Sequence, residues 1–304
     1  MGCDFMLLKS CKEEDLESWE FEDEKSYAYH NPDRYQAEIK YDGERIKAIK
    51  KDGELYLVNR KLPRNKSPFY LEVAEQLQKI EGDFVIDGEM ISEDDVFNKL
   101  QRRALTTNPQ KQKELRAEIP VRYMVFDILS QDNKDLRAEP LSVRKERLAE
   151  VLSNCGNRIV MVSCDNIEQV YQKAKKENRE GIIIKDLESN YTYTRSSNWL
   201  KCKFFKRIEL TIQKYTTNPA GIRVEDKDGN VVQISGQQHE EVKEILDKGK
   251  SCDVVVQYLE KTEKGRLRNP SFVKLITQEE VVKELKEEKL WFDSLEEQYG
   301  GIEK

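Results

Sequence analysis

The chain has 304 residues, of which 38% are hydrophobic and 36% are charged, and its formal net charge is −6. This length is sufficient for two domains, and the composition is typical of a globular protein with a heavily charged surface. The sequence contains no run of the roughly 18 apolar residues that a membrane helix needs, and no signal peptide follows Met1. Its six cysteines form no CxxC pair and have no zinc-type spacing, so we expect a cytoplasmic protein with free thiols.

The negative net charge does not exclude a nucleic-acid partner, because such binding depends on where the charges lie. Acidic residues are concentrated near the two ends, with eight carboxylates in residues 13–24 and a further acidic run in 279–288. Basic residues gather at 60–66, 99–116, 201–207 and 261–268. Each basic cluster taken alone is more often a solvated surface than a binding site.

In the first two thirds of the chain, apolar spacing and turn residues predict a mixture of strands and helices. Residues 35–58 alternate as strands do, with turn signals at Asp42-Gly43 and Asp52-Gly53. The predicted elements that follow are, in order, a helix at 69–80, a strand at 84–91, helices at 96–105 and 110–119, a strand at 121–129, helices at 142–153 and 166–178, and strands at 181–185 and 199–205. Ser142 and Asn166 are the expected N-caps of the last two helices.

The character of the sequence changes after Arg207. Short strands are predicted at 209–215, 221–225, 231–234, 252–260 and 266–274, with a single helix at 240–246. Five strands and one helix in about 70 residues predict a small β-barrel of the OB type. We therefore expect two domains, 1–207 and 208–304, the second ending in an acidic helical tail.

The segment with the most chemical content is residues 38–45, in which Lys40 begins a K-x-D-G pattern. The pattern is weak by itself, because Lys50 begins a second copy that is best explained as an ordinary hairpin. A lysine amine is nucleophilic only when it is neutral, and a pKa near 10.4 leaves about 0.04% neutral at pH 7. Nearby cations would lower that pKa. The cationic candidates are Arg45, Arg60, Lys185, Arg195, Lys201 and Lys203.

KYDGER, residues 40–45, resembles the nucleophile motif of ATP-dependent DNA ligases, within the covalent nucleotidyltransferases. The family's other motifs have counterparts in the right order: Asn59-Arg60, DGEM at 87–90, YMVFDIL at 123–129, EGIIIK at 180–185 and WLKCK at 199–203. FNKLQRR at 97–103 is similar to a further segment of DNA ligases. The resemblance covers roughly residues 35–207. It implies an α+β fold, with an ATP-grasp-like nucleotidyltransferase domain of antiparallel sheets and helices followed by an OB-fold barrel.

The resemblance also implies a role for each matching residue. Lys40 would form a phosphoramidate with AMP, Glu38 would hold the adenine, and Phe126 would stack on it. The ribose and phosphates of ATP would be contacted by Arg45, Glu89, Lys185, Lys201, Lys203, Arg60 and Arg195. Glu180 would bind Mg²⁺ (or Mn²⁺), with Asp42 and Glu89 as further candidate ligands. DNA would be contacted by Arg60, Arg102, Arg103, Arg266 and Arg268.

The implied reaction is the sealing of nicks in double-stranded DNA by a monomeric enzyme that uses ATP. AMP passes from ATP to Lys40, then to the 5′-phosphate of the nick, and is displaced by the 3′-hydroxyl. DNA binding through backbone phosphates should be salt-sensitive and independent of sequence.

Two features depart from the family. The R-x-D-K motif that usually closes the barrel should stand at 276–279, where the sequence reads Ile-Thr-Gln-Glu. Arg266, Arg268 or Lys274 could substitute for its cations. The chain also begins about 40 residues before Lys40, so we expect a minimal two-domain ligase without a large N-terminal DNA-binding domain.

Alternatives remain open at this point. Without the motifs, Phe126 would be a core residue, Glu89 and Glu180 surface acids, and the lysines a solvated face. An RNA ligase and a GTP-using capping enzyme share the superfamily. A non-catalytic nucleic-acid-binding protein is the alternative from another class, and it would be favoured by loss of Lys40 or Glu180, both of which are present.

Overall fold

The computed structural model describes residues 5–12, 31–60, 65–262 and 264–277. The chain divides into two compact units, Met1–Phe204 and Phe205–Lys304, close to the predicted boundary at 207. The predicted acidic segment at 13–24 and the acidic C-terminal helix lie outside the described residues. None of the described helices has the length and apolar character that crossing a membrane would require.

The first unit is built on two sheets. Its strands are β1 Leu7–Cys11, β2 Tyr35–Lys40, β3 Glu44–Lys51, β4 Glu54–Asn59, β5 Phe84–Ser92, β6 Val121–Gln131, β7 Lys134–Asp135, β8 Ile159–Met161, β9 Gly181–Asp186 and β10 Arg195–Lys203. Its helices are a 3₁₀ turn at Ser67–Phe69 and α1 Leu71–Gln78, α2 Phe97–Leu105, α3 Pro109–Glu118, α4 Leu141–Leu152 and α5 Ile167–Lys176.

The large sheet has the order β4-β3-β5-β6-β7, with β8 added in parallel to β6. The small sheet has the order β1-β10-β9-β2, in which β1 runs parallel to β10. Helices α1 and α4 pack on the large sheet and α5 on the small one. A third apolar cluster, which includes Met6, Met124, Phe126 and Trp199, joins residues of both sheets.

Two glycines bring the backbone close together beside the predicted nucleophile. A Cβ on Gly43 would lie 2.1 Å from the carbonyl oxygen of Met90, so only glycine lets this turn rest on β5. A Cβ on Gly181, which has φ +155°, would lie 1.9 Å from the carbonyl oxygen of Cys202. Gly181 is the register partner of Lys40 across β2 and β9. These contacts fix the end of β2 between the two sheets.

Most of the predicted elements of this unit are confirmed, one predicted N-cap is wrong, and three strands were not predicted. Asn166 caps α5 by accepting from the backbone N–H groups of Glu168 and Gln169 at 2.9 and 3.4 Å. Ser142 is not an N-cap, because α4 begins at Leu141 with Pro140 before it. Strands β1, β7 and β8 were not predicted, because β1 and β8 pair in parallel with distant segments and β7 has only two residues.

The second unit is one antiparallel sheet with a helix. Its strands are β11 Lys206–Asn218, β12 Gly221–Asp226, β13 Val231–Ile234, β14 Cys252–Tyr258 and β15 Ser271–Leu275, and its helix is α6 Gln238–Asp247. The strand order is β13-β12-β11-β14-β15. Val242 and Leu246 of α6 join the core of this sheet. The last strand starts at Ser271 rather than at the predicted residue 266. The chain is therefore a mixed protein of sheets with few helices.

Candidate functional site

A cavity of about 530 Å³ in the first unit is lined by residues from both sheets and from α2. It brings together nine of the residues singled out in the sequence: Lys40, Arg45, Arg60, Glu89, Phe126, Lys185, Arg195, Lys201 and Lys203. These residues come from segments spread between positions 40 and 203. The motifs therefore converge on one site.

Lys40 stands at the end of β2 and donates a hydrogen bond to Oε2 of Glu180. The other oxygen of Glu180 is 2.6 Å from Nζ of Lys203. Burial by itself would raise the pKa of Glu180, but Lys40 and Lys203 outweigh it and hold the pKa below its usual value. The site thus holds an ionised carboxylate between two lysines.

Glu89, on β5, lines the cavity, and its pKa is shifted in the direction opposite to that of Glu180. Burial raises its pKa to about 8, and the charges of Glu180 and Asp87 add to this rise while Lys40 and Arg45 oppose it. Two acidic groups whose charges interact therefore have their pKa values moved apart, which is common at sites where charge is bound or transferred.

The guanidinium of Arg45 is held by Asp87, which the sequence did not predict as part of the site. Its Nη2 and Nε lie 2.8 and 3.2 Å from the carboxylate oxygens of Asp87, and Nη1 donates to the carbonyl of Met6 at 2.7 Å. The hydroxyl of Tyr191 donates to Asp87 at 2.6 Å. The guanidinium also lies 5.3 Å from the ring centroid of Phe126. Asp87 therefore sets where Arg45 meets the cavity.

Glu38 is only 1% exposed and is held by protein groups. Its Oε2 is 2.6 Å from Nζ of Lys185, its Oε1 accepts from Nζ of Lys145, and the thiol of Cys164 donates to Oε1 at 3.2 Å. Nζ of Lys185 lies 4.6 Å from the ring centroid of Phe126 and 3.9 Å from that of Trp199. Phe126 and Trp199 contact each other edge to face, with centroids 6.1 Å apart.

Cations gather on the β10 side of the cavity. Lys201 and Lys203 share a strand face while Cys202 between them is fully buried, as the alternation predicted. Burial lowers the pKa of Lys201, and the charges of Lys203, Arg195, Lys40 and Arg60 lower it further. Such a cluster is suited to hold phosphate groups.

The number and type of acidic groups, Glu89 and Glu180, fit a Mg²⁺ site in which the substrate supplies some of the ligands. Mg²⁺ in phosphate-transfer sites usually takes one or two carboxylates and fills its other positions with water and phosphate oxygens. Glu89 and Glu180 are close enough to influence each other's charge and supply that number. Among the described residues, no group of three or more His, Cys, Asp or Glu is arranged to hold a metal by itself.

One of the predicted DNA contacts is contradicted by the structure. Arg103 cannot contact DNA, because it is 1% exposed and is saturated by Glu72 and the carbonyls of Phe69 and Ile119. Arg102 is exposed and paired with Glu118. In the second unit, Arg266 is exposed and Arg268 lies 2.8 Å from Glu260.

The second K-x-D-G copy has a structural role. Nζ of Lys50 donates to the carbonyl oxygens of Gln78 and Ile80, so it satisfies the C-terminal end of α1. Asp52 and Gly53 have φ values of 51° and 81°, as a tight hairpin requires. The interpretation of this copy as a hairpin is confirmed.

Sequence reasoning missed Asp87, Lys145 and Trp199 as parts of the site. Asp87 lay within a quoted motif, DGEM, so its charge in an apolar strand was an available signal. Lys145 has no such signal, because a lysine in the charged stretch 144–147 has the sequence pattern of a solvated helix face. Only the fold brings it to Glu38, 107 residues away.

Comparisons with known proteins agree with the motifs. The family model of the ATP dependent DNA ligase domain matches residues 18–203, more than half of the chain. The chain is similar to the DNA ligase of Aeropyrum pernix, with 30% identity over 190 residues, which are 58% of this chain and 31% of that protein. It is also similar to the probable DNA ligase of Aquifex aeolicus, with 31% identity over 182 residues, or 55% of this chain and 30% of that protein.

The matched segment therefore spans about a third of the length of these curated relatives. Among solved structures, a Lig E DNA ligase studied for DNA binding with a minimal scaffold aligns with a TM-score of 0.64 and 18% identity, covering 91% of this chain and all of that one. At this identity the likeness shows a shared fold.

Proposed function

The chain belongs to the ATP-dependent DNA ligase domain family, and from this premise we propose that it seals nicks in duplex DNA, with Lys40 as the nucleophile that takes AMP from ATP. The observation that carries the proposal is the position of Lys40. It ends β2 at a cavity lined with cations, with its Nζ hydrogen-bonded to Glu180.

In the first step, the nitrogen of Lys40 attacks the α-phosphorus of ATP. A P–N bond forms, the bond between the α-phosphorus and the pyrophosphate oxygen breaks, and pyrophosphate leaves. The lysine ammonium loses one proton before the attack and a second as the phosphoramidate forms. Forming this covalent intermediate divides one difficult transfer into easier ones.

The surrounding cations stabilise the negative charge that develops on the phosphate during the reaction. Lys201 and Lys203 lie on the strand face toward the cavity, and Arg60 and Arg195 line it as well. Fixed cations in a partly buried cavity stabilise a transition state more than mobile ions in water do. Lys185 is assigned to the α-phosphate, and its Nζ lies beside the rings of Phe126 and Trp199 and next to Glu38.

The metal assignment rests on the carboxylates. Glu180, with Glu89, would hold Mg²⁺ or Mn²⁺, which supplies positive charge to the phosphates when bound. The pair between Lys40 and Glu180 keeps Nζ at the cavity until nucleotide arrives. Asp42, the remaining candidate, is close enough to Asp95 to raise that group's pKa.

The later steps use the same cavity. AMP passes from Lys40 to the 5′-phosphate of the nick, forming a diphosphate linkage and releasing the lysine amine. The 3′-hydroxyl then attacks the activated 5′-phosphorus, the phosphodiester bond forms, and AMP leaves. Arg60, Arg102, Arg266 and Arg268 are proposed DNA contacts, because each lies in a basic cluster and Arg60 also lines the cavity.

The second unit is proposed to be an OB-fold domain. Its five antiparallel strands and single helix support this assignment. Of the altered closing motif, Ile276 and Thr277 are described and carry no cation, whereas residues 278 and 279 lie outside the described residues. The five cysteines in the part of the chain that the structure describes are free thiols, which supports the proposal of a reducing compartment.

A sealing assay tests the proposal and separates it from its alternatives. Purified protein with Mg²⁺ and ATP should join a nicked DNA duplex, and should join a nicked RNA duplex at least about tenfold more slowly. Faster sealing of RNA would favour the RNA ligase, and a protein–GMP adduct formed from GTP would favour the capping enzyme. Binding of nicked DNA without any sealing or adduct would favour the non-catalytic protein.

A further inference from the structure

The nucleotide cavity contains a carboxylate with two lysine partners, of which the sequence motifs account for only one. Glu38 binds Lys185 through Oε2 and Lys145 through Oε1. Lys185 belongs to the EGIIIK motif, while Lys145 stands on α4 outside every motif. Lys185 lines the cavity, whereas Glu38 and Lys145 are not among its lining residues.

The position of Lys185 conflicts with bound nucleotide. Its Nζ lies 4.6 Å from the ring centroid of Phe126, the ring on which the base is proposed to stack. An ammonium and a purine cannot occupy the same face of that ring. A base that stacks on the face of Phe126 that Lys185 occupies would displace Lys185 toward the phosphates and uncover the carboxylate of Glu38.

Lys145 is held in a way that keeps it beside Glu38. Its Nζ also donates to the carbonyl of Val162 at 2.9 Å. The preceding residue, Arg144, is fully buried and bound to both carboxylate oxygens of Asp127 at 2.8 and 2.9 Å. This anchor fixes the turn of α4 that carries Lys145. When Lys185 leaves, Lys145 is the cation that remains on Glu38.

We infer that Lys145 is a specificity-determining residue that acts through Glu38: it keeps this carboxylate charged, so that the pocket accepts the 6-amino group of adenine and rejects 6-oxopurines. The inference rests on the proposed function, because it concerns the nucleotide that charges Lys40. An ionised carboxylate can only accept hydrogen bonds, which suits an amino group and repels an oxo group. A protonated carboxyl group can donate to the oxo group and loses this selectivity.

The groups around Glu38 support the conclusion that its cationic neighbours keep it ionised. Burial by itself would raise the pKa of Glu38, and Lys145 and Lys185 together outweigh burial and lower it. The other neighbours are Cys164, whose pKa is raised to about 12, and Tyr41, whose pKa is also raised, and both stay neutral. Without Lys145, the departure of Lys185 would leave a buried carboxylate with no cation among these groups.

The test compares ATP with inosine triphosphate, which carries an oxo group at position 6, as donors for labelling the whole protein. The ratio of the second-order rate constants of adduct formation is measured at pH 6 and pH 8. Wild type should prefer ATP equally at both values. Lys145→Met should lose about tenfold to a hundredfold of this preference at pH 6, the range for a hydrogen bond to a charged group, and less at pH 8.

Four further variants separate specificity from folding. Lys145→Arg, which keeps the charge, should retain the preference even if Lys145→Met folds poorly. Arg147→Met is the matched control on the same helix, since Arg147 is exposed and paired with Glu150. Glu38→Gln should lose the preference, and Lys145→Met in that background should lower it no further.

The inference would be overturned if Lys145→Met kept the wild-type preference for ATP at both pH values. It would also be overturned if Lys145→Met lost no more of this preference at pH 6 than at pH 8. A third contrary result is that Lys145→Met lowers the preference as much in the Glu38→Gln background as it does in the wild type. Failure of the proposed function is distinguishable, because wild-type protein would then form no adduct with ATP at all.

Discussion

Glu89 and Glu180 lie close enough for their charges to interact, but they differ in their charge. Glu180 is kept ionised by Lys40 and Lys203, whereas burial raises the pKa of Glu89 to about 8. The site therefore carries one negative charge held by two lysines and one group whose charge depends on pH. A bound cation or phosphate would change the protonation of Glu89 before that of Glu180.

Replacing Glu89 by Gln should change how stability depends on pH. Between pH 5 and 8 the folded protein holds a proton on Glu89 that the unfolded chain, with a pKa near 4.5 for this group, has released. The group's contribution to the free energy of unfolding therefore falls as pH rises, by at most about 1.4 kcal/mol per pH unit. Glu89→Gln should remove this slope.

Denaturant unfolding of the ligand-free protein at pH 5, 6, 7 and 8 measures the effect. Glu209→Gln, at an exposed position of β11, is the control and should keep the wild-type slope. Parallel profiles for wild type and Glu89→Gln would contradict the assigned pKa.

At the scale of elements, a buried arginine ties several helical segments together. Arg103 of α2 binds Glu72 of α1 and the carbonyls of Phe69 and Ile119. It therefore connects α2 with the start of α1 and the end of α3. Its neighbour Arg102 is 52% exposed and pairs only with Glu118 among the contacts described.

Arg103→Met should lower the free energy of unfolding by about 3–5 kcal/mol, because it leaves Glu72 and two buried carbonyls without their partner. Arg102→Met, the matched control, should cost about 1 kcal/mol or less, as exposed pairs do. Chemical denaturation compares the two. Equal costs would show that Arg103 does not hold these elements together.

A second link joins the loop before α2 to the turn that carries Glu180. Arg179 pairs with Asp95, and its guanidinium lies 5.7 Å from the ring centroid of Tyr41. Tyr41 and Arg179 are the chain neighbours of Lys40 and Glu180. Asp95 has φ 57°, a conformation that asparagine also tolerates. The pair of Asp95 and Arg179 therefore braces the pair of Lys40 and Glu180.

Asp95→Asn and Arg179→Met should each slow self-adenylation by about tenfold to a hundredfold through misplacement of the reacting groups. The double variant should be no slower than the slower single variant, because both changes break one link. Asp94→Asn, at an exposed pair with Lys99, is the control. Rate losses that multiply in the double variant would argue against a shared role.

The sequence predicted most strands and helices and the convergence of the motifs, because these depend on local periodicity and on residue types that chemistry requires. It did not predict β7, which has two residues, or β1 and β8, which are short and pair in parallel with distant strands. The sequence also could not predict that Arg103 is buried or that Lys145 contacts Glu38. A charged residue on a helix has the same local pattern whether it faces solvent or a buried partner.

At the scale of the whole molecule, the net charge of −6 conceals a cationic cavity. Arg60, Arg195, Lys201 and Lys203 line it together. A protein that replaces about four counterions on DNA should lose about a hundredfold in affinity between 50 and 200 mM salt. Arg60→Ala should reduce the slope of log affinity against log salt by about one unit.

Fluorescence titration of a nicked duplex at several salt concentrations measures these slopes. Arg122→Ala, which removes an exposed arginine paired with Glu93, should leave the slope unchanged. A binding affinity that does not vary with salt would contradict phosphate recognition by these residues.

The central claim is that Lys40 is the residue that becomes adenylated. Incubation with ATP labelled at the α-phosphate, followed by denaturation and peptide mapping, tests this most directly. Wild type and Lys51→Ala, an exposed lysine of the second K-x-D-G copy, should carry the label on Lys40. Lys40→Ala should carry none. A labelled Lys40→Ala protein, or a wild-type protein that forms no adduct, would contradict the claim.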